Sequence, residues 1–223
     1  MTEEVYITRL SAWAPGINNS AEWNEWALGQ RNISSGSKGP ELSFVDPMFR
    51  RRLSQVSRMT IQVAHDLMPL MDDTKILFLS FRGELSRQFQ INKMLIEEQT
   101  LSPAVFSLSV FNAPAALASM ALGLKGGYSA IYPGENSFFT GLKAATAELL
   151  CGKTKELAFI YADEEAPPEY SCFFAEAPPA AAFGFILSKT RHPGSIPIPQ
   201  ADEQETPLVF LKKLLCGEMR VSP

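Results

Sequence analysis

The side chains that most often carry out chemistry in enzymes are scarce in this sequence. It has three cysteines, Cys151, Cys172 and Cys216, and two histidines, His65 and His192. The cysteines are widely spaced and odd in number, which fits neither a disulfide framework nor the ligand spacing of a zinc site. The sequence therefore predicts no metal site and no cofactor, and it favours a packing or incidental role for each cysteine.

Composition argues against two classes of binding partner. Of the 223 residues, 46% are hydrophobic and 20% are charged, as is typical of globular proteins. A formal net charge of −4 argues against nucleic-acid binding, and we expect the one basic run, Arg50-Arg51-Arg52, to lie at the solvated start of a helix. No apolar stretch approaches the roughly 18 residues of a membrane span, and Thr2-Glu3-Glu4 is acidic where a secretory signal is basic. With unpaired cysteines, this predicts a cytoplasmic protein.

Apolar patterns predict the elements that would position any site. β-branched and apolar runs indicate strands, and apolar residues at three- and four-residue steps indicate helices. Their alternation predicts an α/β fold, with a mixed, mostly parallel sheet and helices on both faces. We expect one domain over residues 1–190 and a proline-rich tail with a short helix over 191–223. The predicted strands are 5–10, 75–81, 128–132, 157–161 and 180–188, and the helices are 20–28, 49–71, 86–99, 112–122, 135–151 and 208–215.

Residues 102–152 carry an ordered set of motifs. Ser102-Pro103 precedes Asn112 and an alanine-rich helix, and Gly123-Leu124-Lys125-Gly126, Gly141 and Gly152 follow. The set resembles the β-ketoacyl synthases, in which a strand after Gly-Leu-x-Gly ends at the nucleophilic cysteine and a buried helix follows. The resemblance has no gaps over 102–152 and extends more loosely over 5–188. It implies the N-terminal half of a thiolase-like fold.

Glu135 falls at the position of the family's cysteine. A condensing enzyme needs a thiolate, whose pKa is lowered at a helix N-terminus, to carry the acyl group as a thioester. A carboxylate would form at best a mixed anhydride, which supports no condensation. The resemblance also implies that two catalytic histidines of the family lie beyond the matched part, and His192 lacks their sequence context. The expectation is an inactive homologue, although Glu135 read without the family is simply an acidic residue in a first helical turn.

An inactive homologue of this kind is similar to a chain-length factor, the partner subunit of type II polyketide ketosynthases, and short forms resemble those of aryl polyene pathways. The resemblance leaves fatty-acid-like biosynthesis open as the other pathway class. The resemblance implies a heterodimer with an active β-ketoacyl synthase and, through that complex, contact with acyl carrier protein. Family members dimerise through the strand before the nucleophile, whose unpaired backbone groups invite one partner strand. Here that strand comprises Tyr128, Ser129, Ala130, Ile131 and Tyr132, and the helix that begins at Asn112 would support it.

The resemblance also implies residues that shape the partner's acyl tunnel. Bulky side chains there would limit product length by filling volume, because packed interiors do not yield to an extra chain unit. Plain core packing is the alternative role for each of them. The matching positions are Phe89, Met94, Val105, Phe106 and Leu108.

Two other functions remain open from the sequence. A malonyl-thioester decarboxylase that supplies a primer would need the family's histidines. An unrelated small α/β binding protein would be a stable monomer.

Overall fold

Six strands in one sheet and eight helices make up the described parts of the chain. The computed structural model describes residues 4–134, 137–152, 154–173, 178–199 and 205–217. The strands are β1 (Tyr6–Trp13), β2 (Lys75–Leu79), β3 (Tyr128–Ile131), β4 (Glu156–Asp163), β5 (Ala181–Ser188) and β6 (Ile196–Pro197). The helices are α1 (Ser20–Ala27), α2 (Pro47–Arg50), α3 (Gln55–Asp66), α4 (Leu85–Glu97), α5 (Pro103–Ser107), α6 (Ala113–Leu122), α7 (Phe138–Cys151) and α8 (Pro207–Cys216).

The sheet is mixed, with the strand order β3-β2-β4-β5-β1-β6. β2 runs parallel to β3 and β4, whereas β5 runs antiparallel to β4 and β1, and β6 antiparallel to β1. The predicted α/β class is confirmed, but the expectation of a mostly parallel sheet is corrected, since two of these five pairings are parallel. A parallel return needs a long crossover, usually a helix. Between β4 and β5 the described residues hold only a short 3-10 helix, Pro168–Phe173.

Helices cover both faces of the sheet, as predicted. β4 and β5 lie at its centre, and the side chains of β5 are buried throughout. On one face α7 and α8 pack against the apolar side chains of β4 and β5. On the other face α3 packs against β4 and β5, and α6 packs against α3, β2 and β3. None of the described helices is long and apolar enough to span a membrane.

The helix predicted over 49–71 is two helices. Asp46 accepts hydrogen bonds from the backbone N–H groups of Met48 and Phe49 and so begins α2. Ser54 accepts one from Ser57 N at 3.1 Å and begins α3. Two N-caps eight residues apart outweigh a continuous apolar stripe, because each cap satisfies donors that only a helix start leaves free. Residues 50–52 therefore lie at the end of α2 and in the following turn, not at a helix start.

Helix α8 of the predicted tail belongs to the same core as the sheet. Phe210 is fully buried, and its ring centroid lies 5.0 Å from that of Phe138 and 6.0 Å from that of Phe185. Aromatic pairs at such separations stabilise packing beyond the area they bury. The C-terminal helix thus packs on this chain.

Candidate functional site

A cavity of about 1400 Å³ opens at the carboxyl ends of the parallel strands β2, β3 and β4. Ligand sites of α/β proteins commonly lie at this edge of a sheet. The N-terminus of α7 borders the cavity through Ser137, whose hydroxyl accepts a hydrogen bond from Thr140 N at 3.1 Å. Six of the lining residues are aromatic: Phe81, Tyr132, Phe139, Tyr161, Tyr170 and Phe173.

Asp163, at the end of β4, organises the floor of this cavity. Only 2% of the residue is exposed. Its carboxylate accepts hydrogen bonds from Ser80 Oγ at 2.5 Å, from Arg82 N at 2.9 Å and from Phe81 N at 3.1 Å. The Tyr161 hydroxyl donates to the second oxygen at 3.0 Å, and Arg82 Nε lies 3.8 Å from that oxygen. The carboxylate thereby ties the turn after β2 to the end of β4.

The electrostatics of Asp163 indicate a structural role. Burial raises the pKa of its carboxyl, and the Arg82 guanidinium and the hydrogen bonds oppose that rise. Burial, followed by the charge of Asp163, raises the pKa of the Tyr161 hydroxyl well above its ordinary value. With its oxygens occupied by framework donors, Asp163 holds the turn in place.

Two further carboxyls, Glu84 and Glu164, are buried where α3 and α4 begin. Glu164 accepts a hydrogen bond from Ser86 N at 2.8 Å, and Glu84 accepts from the hydroxyls of Ser54 and Ser57, both at 2.7 Å. Burial raises the pKa of Glu164 to about 7, and the Glu84 carboxyl adds to the rise while Ser86 N opposes it. Burial also raises the pKa of Glu84. Acidic side chains near helix N-termini are stabilised by the unpaired backbone donors there. Through these hydrogen bonds Glu84 and Glu164 link the N-termini of α3 and α4 to the end of β4.

Glu135, at the position of the family's nucleophile, lies outside the described residues. The described residues on either side, Gly134 and Ser137, both line the cavity. Phe138 follows and is fully buried, with its ring 5.7 Å from that of Phe159. Gly141, one turn further along α7, allows the helix to approach Leu79 of β2.

The remaining titratable residues form no metal site in the described parts of the chain, where no three or more His, Cys, Asp or Glu side chains converge. Cys151, Cys172 and Cys216 are free and exposed. His65 stacks on Phe44 with ring centroids 3.6 Å apart.

The predicted interface strand, β3, is an edge of the sheet. It pairs with β2 on one side, and no described strand pairs with its other side. Its residues Ser129, Ala130 and Ile131 are partly buried, while Tyr128 and the following Tyr132 are exposed. Asn112 is exposed at the start of α6. The small residues of α6, in contrast, are buried and contact α3, which explains the alanine-rich pattern.

The five predicted tunnel residues lie on or just after α4 and α5, and none of them lines the 1400 Å³ cavity. Phe106 is 52% exposed, and Leu108 is partly buried against the core. Phe89 makes an edge contact with Tyr170, which does line the cavity, at 5.6 Å between ring centroids. None of the five is fully buried, but Leu108 packs against the core, so plain core packing stays the alternative role.

Sequence reasoning missed the buried polar residues that shape the site, above all Asp163 and Arg82. A usable signal existed, because polar residues cluster at the ends of two buried strands. They are Ser80, Arg82 and Glu84 after β2, and Asp163, Glu164 and Glu165 at the end of β4. Parallel neighbouring strands bring such residues to one edge of the sheet.

Comparisons with known proteins agree with the resemblance drawn from the motifs. Residues 23–208 match the family described as "Beta-ketoacyl synthase, N-terminal domain". Among solved structures, a chain of the ketosynthase ApeO in complex with its chain length factor ApeC, from Xenorhabdus doucetiae, matches with a TM-score of 0.74 at 25% identity, over 96% of this chain and 92% of that chain. No curated protein sequence matches.

Two further structures share the fold at lower identity. A chain of the ishigamide ketosynthase/chain length factor has a TM-score of 0.64 at 13% identity, over 83% of this chain and 62% of that chain. A chain of AntDE:AntF, a type II polyketide acyl-carrier protein in complex with its ketosynthase, has a TM-score of 0.61 at 14% identity, over 84% of this chain and 64% of that chain. The thiolase-like fold that the motifs implied is confirmed.

Proposed function

We propose, from the premise that the chain belongs to the β-ketoacyl synthase N-terminal domain family, that it is a non-catalytic chain-length factor. In this role it forms a heterodimer with an active β-ketoacyl synthase, shapes that enzyme's acyl tunnel and meets acyl carrier protein through the complex. The pathway is type II polyketide biosynthesis of the aryl polyene kind. The observation that carries the proposal is the open edge of β3.

The hydrogen-bonding pattern of β3 defines which groups are available to a partner. Ile76 N donates to Gly127 O, and Ser80 N donates to Ile131 O. In a parallel ladder both backbone groups of a residue face the same neighbour, and successive residues alternate. Tyr128 and Ala130 therefore direct their N–H and C=O groups away from β2. Free edge strands are templates for one further strand, and the partner ketosynthase supplies it.

Exposed apolar side chains beside this edge support the same interface. Met120 of α6 is 69% exposed and Tyr132 is 59% exposed. Tyr128, on the strand itself, is also exposed, and α6 contacts β3, so large apolar side chains lie near the unpaired strand. Apolar patches of this kind mark association surfaces.

The non-catalytic part of the proposal rests on the position of Glu135. A carboxylate cannot replace the thiolate of a condensing enzyme. The matched chain of the ApeO–ApeC complex is nearly coextensive with this one, whereas this chain spans 62% of the ishigamide ketosynthase/chain length factor chain. The match to a chain of a ketosynthase–chain length factor complex supports a role as a partner subunit.

Gating of the tunnel is assigned to α4 and α5. Phe89, Met94, Val105, Phe106 and Leu108 lie on the surface of these helices or at their ends, so a partner can bury them. Once buried, bulky side chains at such positions set the length of the acyl chain that fits.

The deciding experiment is the solution mass of the chain expressed alone and with its ketosynthase. A one-to-one complex that purifies intact supports the proposal. A stable monomer that does not bind the ketosynthase contradicts the proposal and favours a separate binding role.

A further inference from the structure

A second cavity, of about 850 Å³, lies along the outer edge of β1. Residues 10–13 of that strand line it. The sheet order places this edge at the other end of the sheet from β3, and β6 pairs only with Tyr6 and Ile7. The rest of β1 has no strand on its outer side within the described parts of the chain. We refer to this cavity as the β1 groove.

The hydrogen bonds of β5 show which of its residues face β1. Lys189 N donates to Lys155 O at 3.3 Å, and this bond encloses the pair of Glu156 and Ser188. Ser188 therefore directs its own backbone groups toward β1 and not toward β4. Every second residue of an antiparallel strand faces the same neighbour, so Gly184 also faces β1.

The same pattern leaves backbone groups of β1 open to the groove. Gly184 lies opposite Ser11. Residues directly opposite each other in an antiparallel pair either exchange both bonds or make neither, so Ser11 faces β5. Its neighbours Leu10 and Ala12 direct their N–H and C=O groups the other way, into the groove. No strand in the described parts of the chain pairs with these groups, and an open edge of this kind is a template for one further strand.

The two walls of the β1 groove come from opposite faces of the sheet. The first wall is α1 with the turn before it, where Ile17 and Trp23 are buried in the core and no lining residue is charged. The second wall is the loop 39–44 with the end of α3, and Phe44 stacks on His65 there. Successive side chains of a strand point to opposite faces, so an added strand would place alternate side chains on the two walls.

The second wall is acidic. Glu41 and Asp66 line the groove, and no lysine or arginine in the described parts of the chain does so. Gln62 Nε2 donates to Asp66 Oδ1 at 2.8 Å, which orients the carboxylate without neutralising it. Neither carboxylate forms an ion pair with a described lysine or arginine. Arg9 of β1 donates to two backbone carbonyl oxygens, both at 2.6 Å, and does not line the groove.

We infer that the β1 groove binds an extended, basic segment of a partner protein. The segment adds a strand to β1 through the open backbone groups of Leu10 and Ala12. Its lysine or arginine side chains face Glu41 and Asp66, and the apolar side chains between them pack on the α1 wall. In this mode of recognition backbone bonds give affinity and the alternate side chains give specificity. The inference goes beyond the proposed function, because the ketosynthase contact proposed there uses β3.

The first test is a titration of the full chain with a short fluorescein-labelled peptide of alternating lysine and valine, read by fluorescence anisotropy. In a strand all residues of one kind face the same neighbour. N-methylation of one kind, either the lysines or the valines, should therefore abolish binding, whereas N-methylation of the other kind should preserve it. A peptide with glutamate in place of lysine should not bind, and raising the salt concentration should weaken binding of the lysine peptide.

Variants of the chain locate the site. Ala12→Pro removes an N–H that faces the groove, where proline is tolerated in an edge strand, and it should abolish binding, whereas Ala12→Ser should preserve it. Glu41→Gln and Asp66→Asn should each weaken binding by about two- to fivefold, the usual contribution of an exposed ion pair. Asp72→Asn, the same change at an exposed aspartate outside the groove, should leave binding unchanged. Ala12→Pro should also leave the ketosynthase complex intact, which separates this inference from the proposed function.

Three results would each overturn the inference. The first is an equal effect of the two N-methylated peptides, which would exclude pairing with a strand. The second is binding that Ala12→Pro does not alter, and this includes the absence of measurable binding. The third is self-association of the unmodified chain, in analytical ultracentrifugation, that Ala12→Pro abolishes, since the edge would then serve a second copy. Circular dichroism checks the fold of Ala12→Pro, and the methylated peptides test the pairing without altering the chain.

Discussion

Gly141 of α7 faces Leu79 of β2 so closely that a Cβ atom on Gly141 would lie 1.7 Å from Leu79 Cδ1. Leu79 is fully buried, so its side chain has little room to move. The contact seats α7 directly on the sheet, and it thereby positions the N-terminus of α7 at the cavity. The glycine that the family motif predicted has a steric reason here.

Replacing Gly141 with alanine should destabilise the chain by about 1–3 kcal/mol, the usual range for overpacking a core. Urea unfolding measures the loss. Gly36→Ala is the matched control, since a Cβ at Gly36 meets no atom within 4 Å. Combining Gly141→Ala with Leu79→Ala should be less harmful than the sum of the two single changes. Strict additivity would contradict the steric account.

Ala130→Pro should abolish the proposed heterodimer while the chain itself stays folded. It removes an N–H that faces away from β2, and proline is tolerated at such edges. Ile131→Pro is a poorer probe, because Ile131 faces β2 and the change would damage the chain's own sheet. Co-purification with the ketosynthase measures the effect, and Ala130→Ser, which keeps the N–H, is the control. A complex that survives Ala130→Pro would rule out this edge as the interface.

The size of the side chains at Val105 and Phe89 should set product length, with smaller side chains giving longer products and larger ones giving shorter products. Alanine at either position removes volume and should lengthen the acyl product by one or more units, whereas Val105→Trp should shorten it. Mass spectrometry of products from the reconstituted complex is the readout. Ile96→Ala serves as the control on the same helix, because Ile96 is 80% exposed. Product lengths that do not change in any variant would end the gating proposal.

Glu164→Gln should make the chain more stable than the unmodified protein at pH 8 and should have a much smaller effect at pH 5. Burial on folding raises the pKa of Glu164 from its ordinary value of 4.5 to about 7. Between pH 4.5 and pH 7 the folded chain holds a proton on Glu164 that the unfolded chain has lost. The free energy of unfolding of the unmodified chain therefore falls as the pH rises through this range. The full difference is on the order of 3 kcal/mol. Urea unfolding at pH 5 and pH 8 measures this effect, and Glu169→Gln, the same change at an exposed position, is the control.

Asp163→Asn should destabilise the chain by about 3–5 kcal/mol, because it leaves the buried Arg82 without its charge partner. The amide N–H₂ group would also face the backbone donors of Phe81 and Arg82. Thermal unfolding provides the comparison, with Asp72→Asn as the control at an exposed aspartate. A shift in Tm as small as that of the control would mean that the carboxylate network is dispensable.

The elements were predictable from the sequence where one local signal dominates. The apolar run at 180–188 matches β5, and the glycines at 123 and 126 mark the end of α6 as predicted. Gly123 adopts a positive φ of 65°, and a Cβ on Gly126 would lie 2.4 Å from the carbonyl oxygens of Asp73 and Thr74. Only glycine fits the backbone conformation at 123 and the close backbone contact at 126, so a local sequence motif is enough to predict both positions.

Features that depend on segments far apart in the sequence could not be predicted from it. The direction of β5 depends on how residues 164–180 return to the sheet, and periodicity carries no such information. The network around Asp163 joins residues about 80 positions apart, so each member looks ordinary in its own segment. The predicted interface and tunnel residues depend on a partner chain, and their roles stay predictions.

The pairing of β1 with β5 constrains the order in which the chain can fold. Tyr6 lies opposite Ser188, so β1 has to wait for its partner strand β5, which the ribosome makes much later. Meanwhile β2, β3 and β4 and the helices between them can assemble, while β1 remains an open edge. Contacts this distant in sequence slow folding and prolong the exposure of strand edges. Recombinant yield should therefore depend on chaperone supply and on temperature during synthesis, quite apart from the stability of the finished fold.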